Sequence, residues 1–199
     1  MPPVIRAAVE GITDEAVVRR LVSHVGARLG SVYGKQGKPY LRQRLGGYNY
    51  AARHAPWFIL VDLDRDADCA PPFRQEWLPA PAAMACFRVA VRAIEAWLLA
   101  DAEAIARFLS VARSKITDHP ESLDNPKASM VDLARLSRSG AIREDMVPRD
   151  GSGRSVGPTY ASRLIEFVQN HWRPDKAARK ADSLARAIRA LRRLKEMSE

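Results

Sequence analysis

Four aspartates, Asp62, Asp64, Asp66 and Asp68, stand at every second position directly after the apolar run Phe58 to Val61. On an extended backbone, residues two apart project from the same face, so Asp62 and Asp64 would present two hard oxygen donors together while Leu63 points away. Glu10 closes a second short apolar segment, and Asp14 follows it by four residues. Carboxylates gathered in one place raise one another's pKa unless a cation neutralises them. An all-oxygen set suits Mg²⁺ or Mn²⁺ rather than zinc. The expected chemistry is hard-metal binding by Glu10, Asp14, Asp62 and Asp64. Asp66 and Asp68 suit a turn after the strand. An EF-hand does not fit: counted from Asp62, Ala67 falls where glycine is required, Phe73 where the bidentate glutamate belongs, and Pro71 interrupts.

The elements that must position these groups read as alternating strand and helix. "VIRAAVE" (4–10) reads as a strand, followed by a helix with Thr13 as N-cap and an apolar stripe from Val17 to Leu29 that Gly30 ends. "SVYGK" reads as a second strand, 39–53 as a helix, and "WFILVDL" as a strand buried on both faces. Past a Pro-rich link, "MACFRVAV" reads as another strand running into one long helix, "RAIEAWLLADAEAIARFL". This order predicts an α/β fold with a central, mostly parallel sheet over residues 1–111, in which ligands collect at the carboxyl ends of the strands. From 112 to 199 the strand signals stop. "NPKASMVDLARL", "GPTYASRLIEFVQNHW" and "KAARKADSLARAIRALRRLKEM" predict a C-terminal helical extension on that core. Residues 149–158, "RDGSGRSVGP", read as a flexible linker rather than a nucleotide loop.

Charge narrows the range of partners. The chain of 199 residues carries a formal net charge of +9, which favours polyanions, nucleic acid first. No acidic residue lies between Glu15 and Asp62, whereas Arg19, Lys35, Lys38, Arg42 and Arg44 all do, and Arg88 and Arg92 stand where the fourth strand runs into the long helix. These seven are the candidate nucleic-acid-binding residues. Cys69 and Cys86 lack any zinc or disulfide spacing. His24, His54, His119 and His171 are scattered without ligand spacing. No apolar run approaches the roughly 18–20 residues that cross a bilayer, so no membrane association is expected. With no secretion signal in the N-terminal segment, the expected location is the cytoplasm.

A haloacid-dehalogenase-type phosphatase also carries Asp-x-Asp after a strand, but after its first strand, and here it follows about the third. "VEGITDE" followed by "LVDLDRD" resembles the Toprim signature, a glutamate and then Asp-x-Asp on the metal-dependent catalytic fold of topoisomerases, bacterial primases and OLD-type nucleases. "RAIEAWLLAD", "NPKASMVDL", "VGPTYASRLIEFV" and "SLARAIRAL" resemble a small stand-alone Toprim-like family often associated with ATPase partners. The similarity implies a Toprim-like Rossmannoid fold. It implies that Asp62 and Asp64 coordinate Mg²⁺, that Glu10 coordinates it or transfers a proton, that Asp14 and Glu95 hold a second metal, and that Lys127 balances transition-state charge. The chain has no Walker A sequence, so any ATP-driven step would fall to a separate ATPase.

The expected function is Mg²⁺-dependent phosphoryl transfer on nucleic-acid phosphodiesters, DNA first, by a nuclease or nickase in a phage-defence or DNA-processing system. The alternative is a catalytically silent Toprim module that binds nucleic acid or regulates an ATPase. A small-molecule phosphohydrolase is a third reading.

Overall fold

The computed structural model describes residues 1–198. In chain order the elements are β1 Val4–Val9, α1 Ile12–His24, β2 Arg28–Gly34, α2 Lys38–Ala51, β3 Trp57–Asp62, α3 Ala70–Trp77, β4 Ala85–Ala90, α4 Ile94–Ala100 and α5 Ala102–Phe108. They continue with α6 Pro126–Arg135, α7 Gly140–Met146, α8 Tyr160–Asn170, α9 Pro174–Ala177 and α10 Asp182–Glu196. The four strands form one all-parallel sheet in the order β2-β1-β3-β4. The fold is α/β, as expected. Helices cover both faces, which is why β3 is apolar without alternation. Its side chains still divide by the two-residue period: Phe58 and Leu60 join the core beneath α1, α8 and α10, while Trp57, Ile59 and Val61 join the core beneath α2 and α3. Leu63 continues the second set, leaving Asp62 on the side of α1 and α4.

Several boundaries differ from the sequence expectation. The first helix ends at His24, not at Gly30. Gly26 takes the left-handed conformation (φ 73), Ala27 N donates to Val22 O at 3.1 Å and Gly26 N to Ser23 O at 3.0 Å. Those paired bonds are a Schellman stop, and they free Arg28–Gly34 to pair with β1, Leu29 standing opposite Ile5. The N-cap is Gly11, not Thr13. The Pro-rich link contains α3, with Pro71 and Pro72 in its first turn where their missing N–H groups cost nothing. The long helix expected over 92–109 is two helices, broken at Asp101. That carboxylate, 2% exposed, accepts from Arg173 N at 2.9 Å and from Arg173 Nη2 at 2.6 Å.

From residue 126 onward the regular elements among the described residues are all helices. α8 packs against α1 and α10 against β4, so Leu164, Phe167, Leu184 and Leu191 share one core with Ile5 and Leu21. Trp97, fully buried, donates its indole N–H to Ser183 Oγ at 2.7 Å, tying α4 to α10. Among the described residues no helix is long and apolar enough to cross a membrane.

Candidate functional site

In a doubly wound sheet ligands bind outside the carboxyl ends of the strands, where the strand order reverses direction. In the order β2-β1-β3-β4 that point lies between β1 and β3. Glu10 follows the last residue of β1, and Asp62 is the last residue of β3. The backbone around Glu10 is fixed by Lys35 N donating to Val9 O and Gly37 N to Glu10 O, both at 2.9 Å. Glu10 Oε1 accepts from Asp62 N at 2.8 Å, and Asp62 Oδ1 accepts from Ile94 N at 3.0 Å. One carboxylate thus holds the end of β3, and the next satisfies a first-turn N–H of α4 that has no partner within its helix. Asp14 enters from the first turn of α1 and Glu95 from the first turn of α4. Asp14, Asp62 and Glu95 line one cleft of about 690 Å³, together with Lys127, Arg154 and Tyr160.

The electrostatics are those of crowded acids. Asp14 is 7% exposed, and burial, then the charges of Glu10 and Glu95, push its carboxyl up to about 7. Asp62 opens onto the cleft, yet the surrounding protein desolvates it, and Asp14, Glu95 and Glu10 raise it well above the usual carboxylate range. Burial also raises Glu10, against the pull of the Asp62 N–H and Lys38. The opposing charge is Lys127, whose Nζ lies 3.8 Å from Glu95 Oε1 and whose pKa is raised first by Glu95 and then, against burial, by Asp62. Tyr160 O–H donates to Glu95 Oε1 at 3.2 Å, and burial beside that carboxylate pushes the phenol well up. Asp14 Oδ1 and Glu95 Oε2 are buried acceptors with no hydrogen-bond partner. A buried acceptor left unmatched costs about 1–3 kcal/mol, more when charged.

Asp64 departs from the expected pairing with Asp62. β3 stops at Asp62, and Asp64 adopts φ 50, held by Asp64 N donating to Arg92 O at 2.6 Å. The alternation that would aim both aspartates alike ends one residue too soon. The Asp64 side chain is 54% exposed and pairs with Lys38 Nζ at 2.5 Å, and Asp66 accepts from the same ammonium at 2.8 Å. The cluster in the cleft is therefore Asp14, Asp62 and Glu95 with Glu10 behind them, and Asp64 stands at its outer rim.

The expected basic surface is likewise largely paired. Arg19 and Lys35 both bind Glu15 at 3.0 Å, Lys38 holds the two aspartates, and Arg42 binds Glu76 at 2.7 Å. Arg44 stacks on Tyr40 at 5.5 Å. Arg92 donates from Nη1 to Asp64 O at 3.0 Å. Arg88 is partly buried, with Nε unpartnered. Tyr160 and Arg154 were not singled out in the sequence. Tyr160 lay inside a helix motif with nothing to mark its phenol, and Arg154 lay in a segment whose glycines and serines read as a linker.

Among the described residues no three His, Cys, Asp or Glu side chains are already gathered around a common ion position. The donors nonetheless fit a hard cation. Mg²⁺ is commonly held by one or two carboxylates and keeps several of its waters, and the orphaned oxygens of Asp14 and Glu95 line the same cleft as Asp62. Comparisons of the chain with protein families, with curated proteins and with solved structures return no match in any of the three.

Proposed function

We propose that the chain is a Mg²⁺- or Mn²⁺-dependent phosphoryl-transfer enzyme acting on nucleic-acid phosphodiesters, with a Toprim-like arrangement of its α/β core. The observation that carries this reading is the meeting of Asp14, Asp62 and Glu95 in one cleft at the sheet's switch point, with Glu10 behind Asp62 and with buried, unpartnered oxygens on Asp14 and Glu95. Asp62, Asp14 and Glu95 would hold the metal. A bound Mg²⁺ would neutralise the carboxylates and polarise the phosphoryl oxygens. Glu10, raised in pKa and hydrogen-bonded to the Asp62 N–H, is suited to take up or return a proton. Lys127 would oppose charge building on the phosphoryl group, and Tyr160 orients Glu95. The likeness to OLD-type nucleases supplies the setting, phage defence or DNA processing beside a separate ATPase.

A second reading, a silent module that binds nucleic acid or regulates an ATPase, is favoured by the lack of a preassembled ligand cage among the described residues. Incubation of the purified chain with supercoiled plasmid and single-stranded DNA separates the two. Nicking or degradation in Mg²⁺ or Mn²⁺, abolished by EDTA and reduced about 10²-fold by Lys127→Ala, is the expected result. Binding without any metal-dependent cleavage would favour the silent module.

A further inference from the structure

The cavity holding the carboxylates continues past them. Arg154, Val156 and Pro158 line it and also line a neighbouring cavity of about 430 Å³, completed by Pro148, Arg149 and Ser152. No acidic side chain lines that second cavity. Both arginines are exposed, and neither guanidinium has an ion pair or a hydrogen bond among the described residues. Before β3, by contrast, Arg19, Lys35, Lys38 and Arg42 are already matched by Glu15, Asp64, Asp66 and Glu76.

The segment that carries the arginines is built rather than loose. Ser152 N donates to Arg149 O at 3.1 Å and Arg154 N to Ser152 Oγ at 3.3 Å, a local turn with the two arginines at its ends. Its far end is seated at Gly157, whose N–H donates to Met146 O at 3.0 Å. A Cβ there would stand 2.4 Å from Asp145 O and 2.7 Å from Val147 N. A polyanion approaching three buried carboxylates is repelled unless cations flank them, and arginine's planar fork matches a phosphate with two parallel hydrogen bonds.

We propose that Arg149 and Arg154 form a phosphate subsite that grips the nucleic-acid backbone beside the scissile position, so that the strand leaves the carboxylate cleft along the 148–158 segment. This rests on reading the cleft as a phosphodiester site. The subsite needs no metal, so it is tested without one.

Binding of labelled single- and double-stranded oligonucleotides in EDTA is measured by fluorescence anisotropy across a salt series, for the wild type, Arg149→Ala with Arg154→Ala, and Arg107→Ala as a charge control on α5. The double variant should bind about tenfold or more weakly, and its log–log salt slope should fall by about 1.4 on single strands and about 1.8 on duplex, two phosphates' worth. Arg107→Ala should match the wild type. The subsite is overturned if the double variant keeps the wild-type affinity and slope, if Arg107→Ala loses as much, or if the wild type binds neither oligonucleotide. A parallel cleavage assay in Mg²⁺ separates the two ideas. Weakened binding with no cleavage by the wild type removes the nuclease reading and leaves the subsite standing. Wild-type cleavage that the double variant reproduces in full removes the subsite alone.

Discussion

Asp62→Asn should lose phosphodiester cleavage by about 10³-fold or more while making the metal-free protein harder to unfold. On the proposed reading, Asp62 would hold the metal at the end of β3, and its loss would remove several kcal/mol of transition-state stabilisation, about 4 kcal/mol corresponding to three orders of magnitude in rate. Fold and activity part company because the charge of Asp62 sits among Asp14, Glu95 and Glu10, which together with desolvation hold its pKa well up. An asparagine keeps the oxygen that accepts from Ile94 N but removes the repulsion. Relief of that repulsion should raise the Tm of the metal-free variant above that of the wild type in EDTA at pH 8. Differential scanning fluorimetry and a plasmid assay on one preparation test both halves. A variant that melts earlier than the wild type, or that cleaves within a few-fold of it, would show that Asp62 is a structural group.

The metal-free wild type should also become less stable as pH rises from 4 to 8. Asp14 is raised from an ordinary 3.8 to about 7, and Asp62 and Glu10 shift in the same direction. A carboxyl whose folded pKa is raised holds its proton longer in the folded than in the unfolded chain. Its penalty is therefore absent below about pH 4, grows as the unfolded chain ionises, and is complete above the folded pKa. For Asp14 alone the difference amounts to about 4 kcal/mol. His24, depressed mainly by burial, works the other way near pH 6. The carboxylates of Asp118 and Asp145, held low by neighbouring hydrogen-bond donors, also work the other way, and their contribution is complete once pH passes the ordinary carboxylate range of the unfolded chain. Asp14→Asn isolates the contribution: its stability–pH curve should be flatter than the wild type's over pH 4–8, the two diverging by about 4 kcal/mol. Mg²⁺ at 100 times its dissociation constant should restore about 2.7 kcal/mol to the wild type at pH 8. Coincident curves for the two proteins would remove the repulsive cluster as a feature of the folded chain.

The positions of Glu10 and Asp62 were legible because an apolar strand ending in a carboxylate is a local pattern, and α/β topology then brings strand ends together. Glu95 and Lys127 were reached only through a resemblance, since neither spacing nor periodicity marks a buried glutamate on an otherwise apolar helix. Asp64 was misplaced because alternation holds only while the backbone stays extended, and the left-handed residue that diverts it is fixed by Arg92, 28 positions away. The basic run before β3 looked like a free surface because a linear sequence does not display partners: Lys38 is matched by aspartates beyond β3, and Arg42 by Glu76 on α3. The end of α1 was legible in principle, but an apolar stripe running on to Leu29 outweighed Gly26. Arg149 and Arg154 were hidden by their composition. A segment of Gly, Ser and Pro reads as a linker until Gly157 is seen seated against the α7 terminus.

Mn²⁺ binding to the metal-free chain, followed by electron paramagnetic resonance with no nucleic acid present, bears most directly on the convergence of these carboxylates. Saturable binding of about one or two ions per chain, weakened at least about tenfold by Glu95→Gln and by Asp14→Asn, is the expected result. Absence of saturable binding, or a binding curve that both substitutions leave unchanged, would contradict it.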